Sequence, residues 1–143
     1  MQTPTIVEYG SPISLADAKI AVAAAEREAV ANSFAAIIAV VDSGAQLVLL
    51  ERLDHAQLGS IPVAIAKAET AVRFKRPTKA FEDALAQGGV NIRLLSLPGI
   101  AAVDGGIPLL SDGKIVGAIG VSGLLPQQDA QIAAAGAAAF HKL

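Results

Sequence analysis

The chain of 143 residues contains no cysteine and no tryptophan, and only 3% of its residues are aromatic. Without cysteine it can form no disulfide, thiolate zinc site or iron–sulfur cluster, and it has no cysteine nucleophile. The formal net charge is small, at −2. It provides no excess of positive charge that would attract nucleic acid or an anionic membrane. We therefore expect a small-molecule ligand, or further copies of the chain, as partners.

Long hydrophobic runs are absent as well, although the mean hydropathy is high at +0.54. The apolar runs reach about ten residues, whereas a membrane-spanning helix requires roughly 20. Polar residues interrupt the first twenty positions, so we expect no secretion signal and a cytoplasmic location. The length fits one domain over residues 1–143.

Alanine is the residue that the chain has in excess, with 30 copies. So much small apolar surface leaves little polar cover on a chain of this size. This favours a homo-oligomer whose helices or sheet faces pack closely across subunits. The alternative is that alanine only raises helix propensity.

The spacing of apolar residues predicts helices that flank two β-hairpins. In chain order the predicted elements are a helix from Leu15 with Ser14 as N-cap, a hairpin of 36–41 and 46–53, a helix from Ser60 that stops before Pro77, a shorter helix over 79–86 capped by Thr78, a hairpin of 107–110 and 114–121 joined by Asp112-Gly113, and a helix over 127–140 that starts after Pro126. Hairpins indicate an antiparallel sheet, and helices on either side of each hairpin indicate the α+β class.

Lys67 stands out in the helix that begins at Ser60. At 100° per residue the predicted packing stripe comprises Ile61, Ile65, Ala68 and Val72, while Lys67 falls on a second apolar face almost in line with Ser60. Either the lysine stem covers apolar surface while its head reaches water, or the ammonium lies at a pocket or subunit interface and holds an anion. In the second case Ser60 would add its hydroxyl and the helix N-terminus.

The end of the first hairpin concentrates charge in residues 51–55, with the sequence ERLDH. Arg52 either clamps a carboxylate or forms a salt bridge with a neighbouring acid. His55 is either an exposed loop histidine or a ligand of a metal or of haem iron. The second histidine, His141, is the third residue from the end of the sequence, where we expect fraying and no ligand role.

Glycines mark the second hairpin. Gly117, Gly120 and Gly123 do not match the dinucleotide-binding fingerprint, and within a strand they suggest close approach of a helix, a second subunit or a flat ligand. The Gly105-Gly106 pair either presents backbone N–H groups to a ligand or forms a plain turn. No motif in the chain identifies an enzyme.

Seven segments, taken together with their order and spacing, resemble the GlcG/HbpS family. They are residues 40–44 (VVDSG), 51–54 (ERLD), 59–61 (GSI), 66–71 (AKAETA), 76–78 (RPT), 105–109 (GGIPL) and 112–123 (DGKIVGAIGVSG). The resemblance covers nearly the whole chain. It implies a profilin-like fold, in which helices flank a five-stranded antiparallel sheet whose additional strand lies near residues 100–103, and it implies self-association into dimers or larger oligomers.

The resembled family includes haem-binding and haem-degrading proteins, the C-terminal part of PduO-type corrinoid adenosyltransferases, and small proteins of glycolate or aromatic catabolism. Carried over by motif position, a set of polar and glycine residues is implied to border one ligand cleft. This set comprises Arg52, Asp54, Ser60, Lys67, Arg76, Gly105 and Gly106.

The leading expectation from this resemblance is that the chain binds haem or a related tetrapyrrole. Arg52, Lys67 or Arg76 would then hold the propionates, and His55 heads a short inventory of iron ligands that also includes His141, Tyr9 and Met1.

Two alternatives stay open. In the first, the chain is an enzyme or carrier for a small oxo- or hydroxy-acid, whose carboxylate binds Lys67 and Arg52. Asp54 or His55 would move a proton in that reaction. In the second, the chain is a non-catalytic, oligomeric accessory protein.

The chain departs from the family pattern at two points. Leu124-Leu125 follows Gly123 where relatives carry a polar helix cap. Losing such a cap costs about 1 kcal/mol unless the leucines are buried, which suggests a packed or interfacial contact there. His55 stands where relatives commonly carry a small residue, so a role for it would be particular to this chain.

Overall fold

A computed structural model describes residues 6–141. The helices are α1 (Leu15–Ala31), α2 (Ser60–Phe74), α3 (Lys79–Ala86) and α4 (Pro126–His141), with a 3₁₀ segment (Gly89–Ser96) after α3, and the strands are β1 (Ile37–Asp42), β2 (Leu47–Arg52), β3 (Gly106–Ser111) and β4 (Lys114–Ser122). The strands form one antiparallel sheet in the order β2–β1–β4–β3. The predicted α+β class is confirmed.

The first helix begins, and the second hairpin turns, at the residues that the sequence predicts. The Ser14 hydroxyl accepts a hydrogen bond of 3.1 Å from the Asp17 N–H at the start of α1, as an N-cap does. Asp112 and Gly113 adopt φ values of 51° and 75°, the positive angles that a tight two-residue hairpin turn requires. These contacts span few residues, which is why sequence alone predicts them.

Leu124 and Leu125 have no polar side chain that could cap α4. Side chains within α4 accept hydrogen bonds from their backbone N–H groups instead. The Gln128 side-chain oxygen accepts from the Leu125 N–H at 3.2 Å, and the Asp129 carboxylate accepts from the Leu124 N–H at 3.1 Å. This is the backward half of a capping box. Leu124 packs against the core, whereas Leu125 is exposed.

The described sheet has four strands, so the prediction of a fifth strand near residues 100–103 is wrong. The backbone there bonds to α2 instead, because the Ala101 N–H donates to the Thr70 hydroxyl at 3.0 Å. The additional pairing occurs elsewhere: Tyr9 forms a parallel bridge with Ile115, where β4 extends beyond the end of β1.

The sheet is covered on both faces. Ile38 and Val40 of β1 pack with α1 and α4, and their neighbours Ile37 and Ala39 pack towards α2. Successive side chains of a strand point to opposite faces, so a strand buried on both sides is apolar at every position. The unbroken apolar run of β1 reflects this placement.

Small residues bring α1 and α4 into close contact. A Cβ added at Gly136 of α4 would lie 2.8 Å from the Ala21 carbonyl oxygen and 3.4 Å from the Ala25 Cβ of α1. The close helix packing that the alanine content predicts between subunits therefore occurs, in the described chain, between two helices of the same molecule.

The buried face of α2 matches the predicted stripe only in part. Ala68 and Val72 are buried as predicted, whereas Ile61 and Ile65 are only partly buried and Ala64, outside the stripe, is fully buried. Gly120 of β4 explains the difference, because a Cβ there would overlap the Ala64 carbonyl oxygen and lie 2.6 Å from the Ala68 nitrogen. The helix backbone rests on this glycine, so only small side chains fit beneath it, as the sequence suggested for a strand glycine.

We expect Gly120→Ala to lower the free energy of unfolding by about 3 kcal/mol, because the added methyl group must displace the α2 backbone. Urea denaturation followed by circular dichroism measures this. Gly59→Ala is the matched control, since a Cβ at Gly59 meets open space and φ there is −60°. Equal stability of the two variants would contradict close helix–strand contact at Gly120.

Candidate functional site

The residues implied to border one ligand cleft lie in three separate places. Arg52, Asp54 and His55 lie at or after the end of β2, Ser60, Lys67, Gly105 and Gly106 are buried, and Arg76 is exposed beyond the end of α2. The sequence therefore groups residues that the fold distributes over the sheet edge, the interior and a helix end.

A surface pocket lies beside the end of β2. We call it the β2-end pocket, and it has a volume of about 360 Å³ and is lined by Glu26, Val30, Ser33, Phe34, Ala35, Leu53, Asp54 and His55. His55 is exposed and adopts a positive φ of 72°. Arg52 is exposed as well, and it forms no salt bridge with any residue between 6 and 141.

Carboxylates dominate the charge of the β2-end pocket. Glu26 and Asp54 line it, and no lysine or arginine does. Partial burial and the neighbouring Glu26 carboxylate raise the pKa of Glu51, and one oxygen of Glu51 is buried without a hydrogen-bond partner in the described chain. The lining therefore offers an imidazole and apolar contacts, but it disfavours an anion.

Lys67 is buried, with 1% of its surface exposed. Its ammonium donates to the Asp129 carboxylate at 3.0 Å and to the Val121 carbonyl at 2.9 Å. Burial raises the pKa of Asp129, and the attraction of Lys67 opposes that shift. The lysine head does not reach water; it holds an anion, and this anion is the carboxylate of α4.

Beside this ion pair, the backbone N–H groups of Gly105 and Gly106 also form hydrogen bonds within the chain. The Gly106 N–H donates to the Thr78 hydroxyl at 2.9 Å, and the Gly105 N–H donates to the Asp104 carboxylate at 2.9 Å. Gly105 has a φ of 127°, and a Cβ there would lie 2.9 Å from the Lys67 ammonium nitrogen. We call Lys67, Thr78, Gly105, Gly106 and Asp129 the Lys67 junction.

Thr78 and Ser60 both use their hydroxyls differently from the sequence prediction. Thr78 makes no side-chain cap bond to α3, because its hydroxyl accepts from Gly106 in the junction. Ser60 is buried, and its hydroxyl accepts from the Gln57 amide at 2.9 Å. In this conformation neither hydroxyl is available to an external ligand.

A second pocket, the α4-end pocket, lies where α4 ends beside β3. It has a volume of about 250 Å³. Its rim carries Lys75, Arg76 and His141, and its apolar floor comprises Val7, Pro77, Ile107, Pro108, Leu110 and Ile115. Arg76 is the one residue of the implied cleft that lines it.

Sequence reasoning missed Asp129 and Lys75 and misjudged His141, and of these three residues Asp129 left a signal. Asp129 is the only acidic residue of α4, as Lys67 is the only charge on its apolar face, so a pair of opposite isolated charges was readable. His141 is tied to β3, since the Leu110 N–H donates to its Nε2 at 3.0 Å, and this contradicts the expected fraying. No local signal marks Lys75 as a pocket residue.

We expect Lys67→Met and Asp129→Asn each to lower the free energy of unfolding by about 3–5 kcal/mol, because each leaves one buried charge without its partner. The double variant should lose clearly less than the sum of the two. Urea denaturation of all four proteins completes this double-mutant cycle. Additive losses would show that the ammonium and the carboxylate do not interact.

No helix within residues 6–141 combines the length and the apolar character needed to cross a bilayer. In the same part of the chain, no group of three or more histidine, aspartate or glutamate side chains is arranged to hold a metal ion.

Comparisons with known proteins agree with this fold. GlcG from Escherichia coli is 38% identical over 101 residues, which cover 71% of this chain and 74% of GlcG. HbpS from Streptomyces reticuli, solved as a double mutant, superimposes with a TM-score of 0.82 at 31% identity, covering 96% of this chain and 97% of that one.

A structure of a PduOC–haem complex superimposes with a TM-score of 0.81 at 28% identity, covering 90% of this chain and 94% of that one. A family profile described as "Haem degrading protein HbpS-like" matches residues 13–138. The resemblance noted from sequence motifs is thereby confirmed, and the chain belongs to the HbpS-like family.

Proposed function

We propose that this protein binds haem or a related tetrapyrrole, and that His55 is the iron ligand. The observation that carries the proposal is an exposed imidazole at an apolar-walled surface pocket, in a chain whose fold matches that of a haem complex. Membership of the HbpS-like family supports the same ligand class.

Haem requires apolar contact for its ring, a ligand for its iron and cations for its propionates. The residues of the β2-end pocket meet the first two requirements. Val30, Phe34 and Leu53 provide apolar contact for the ring, and His55 provides a nitrogen ligand for iron. Propionates require cations, and the pocket has none. Arg52 pairs with Ile37, so its side chain lies on the α2 face of the sheet, away from this pocket, and the propionates would face solvent. Bound haem would supply a redox-active iron, while these residues hold the ring and exclude water from one of its faces.

Titration of haemin into the protein should shift the Soret band, and His55→Ala should weaken binding by about tenfold or more, because the iron loses a direct ligand. Absorbance spectroscopy at constant haemin concentration measures both effects.

His141→Ala tests the other histidine as the iron ligand, because His141 lies at the separate α4-end pocket. A loss of affinity in His141→Ala alone would reject His55 as the ligand. A spectrum identical to that of free haemin would reject tetrapyrrole binding altogether.

We further propose that the chain forms a homo-oligomer through the 3₁₀ segment. No residue of this segment is buried, and Val90, Ile92 and Leu95 are 73%, 62% and 68% exposed. Three large apolar side chains so close in sequence form a patch that water solvates poorly, and a second copy of the same chain can bury it.

Light scattering after size exclusion should give a mass that is a multiple of the 14.4 kDa chain. Ile92→Asp combined with Leu95→Asp should shift the population towards monomer, because burying these charges opposes association. Leu58→Asp, at an equally exposed leucine outside the segment, should leave the mass unchanged. A monomeric wild-type protein would end this proposal.

A further inference from the structure

The α4-end pocket combines an apolar floor with a cationic rim. Six apolar residues form the floor, Lys75, Arg76 and His141 form the rim, and no carboxylate lines it. The formal charge of the whole chain is −2, so this local excess of positive charge runs against the overall balance. Such a lining suits a molecule that is apolar at one end and anionic at the other.

The two terminal nitrogens of Arg76 form no hydrogen bond within residues 6–141. Its Nε donates to the Phe74 carbonyl at 2.8 Å, and the guanidinium lies 5.6 Å from the centroid of the Phe81 ring. These two contacts fix the orientation of the group. Its terminal nitrogens bond to no residue between 6 and 141, and they can therefore grip both oxygens of a carboxylate.

Lys75 is oriented in a similar way. It ends α2 in the left-handed conformation, with a φ of 56°. Its ammonium donates to the Val7 carbonyl and lies 4.8 Å from the centroid of the Tyr9 ring. An ammonium has three donors, so two remain for a ligand. Like Arg76, it forms no salt bridge within residues 6–141.

His141 contributes a third donor. Its Nε2 accepts the Leu110 N–H at 3.0 Å, so in the neutral imidazole the proton is on Nδ1. This assignment makes His141 a hydrogen-bond donor through Nδ1. The rim as a whole therefore donates hydrogen bonds and carries positive charge.

We propose that the α4-end pocket binds the carboxylate of an apolar organic acid, with Arg76 as the principal contact. The volume of about 250 Å³ lies below the roughly 300–1,000 Å³ of pockets that enclose drug-sized ligands. The occupant is accordingly a small aromatic or branched aliphatic acid, or one carboxylate-bearing arm of a larger molecule such as a tetrapyrrole. The site does not depend on haem binding at His55.

The test uses 3-phenylpropionate as the probe and 3-phenylpropionamide as its uncharged counterpart. Nuclear magnetic resonance of the nitrogen-15-labelled full chain should show saturable shifts at the amides of Ile107, Leu110 and Ile115 with the acid. The amide should bind about tenfold more weakly or worse, since it lacks the charge that strengthens these hydrogen bonds. Equal affinity for acid and amide would overturn the proposal.

Arg76→Gln should lower the affinity for the acid by about tenfold or more. Arg73→Gln is the matched control, because Arg73 is an exposed arginine of α2 that pairs with Glu69 and does not line the pocket. Thermal unfolding establishes that both variants are folded. Unchanged affinity in Arg76→Gln would also overturn the proposal.

Haemin then distinguishes the two sources of the carboxylate. If haemin displaces 3-phenylpropionate, and Arg76→Gln also weakens haemin binding, the pocket holds a tetrapyrrole arm. If the acid stays bound in the presence of haemin, the ligand is a free organic acid. A chain that binds the acid but not haemin would support this site while rejecting the proposed function.

Discussion

The buried ion pair between Lys67 and Asp129 is the constraint on which the rest of the structure depends. It joins α2 to the start of α4, and through the Val121 carbonyl it also joins both helices to the end of β4. A buried charge that loses its partner is strongly destabilising, so each residue requires the other. The pair occupies the space where the family resemblance implies a ligand cleft, and in this conformation that space is internal.

Close backbone contacts also fill the rest of the interior. Gly120 brings α2 against the sheet, and Gly136 brings α4 against α1, with alanines filling what little space remains. Such packing leaves little space between these helices and the sheet within residues 6–141. The β2-end pocket and the α4-end pocket accordingly lie at the ends of elements, on the surface.

The β2-end pocket and the α4-end pocket differ in the charge of their lining residues. Glu26 and Asp54 beside His55 disfavour anions, so that pocket suits a ring and a metal ion better than a carboxylate. Lys75 and Arg76 beside His141 favour anions. The two pockets thus have opposite preferences for the charge of a ligand.

By itself the sequence determined the α+β class, the order of elements, the Ser14 cap and the Asp112-Gly113 turn, because each depends on residues close together in the chain. Only the tertiary structure decided which face of α2 is buried and what Lys67 binds, since the partners are Gly120 and, 62 positions away, Asp129. It also placed Arg76 beside His141 instead of beside Arg52. Periodicity reports that a face is apolar, but only folding sets what lies opposite it.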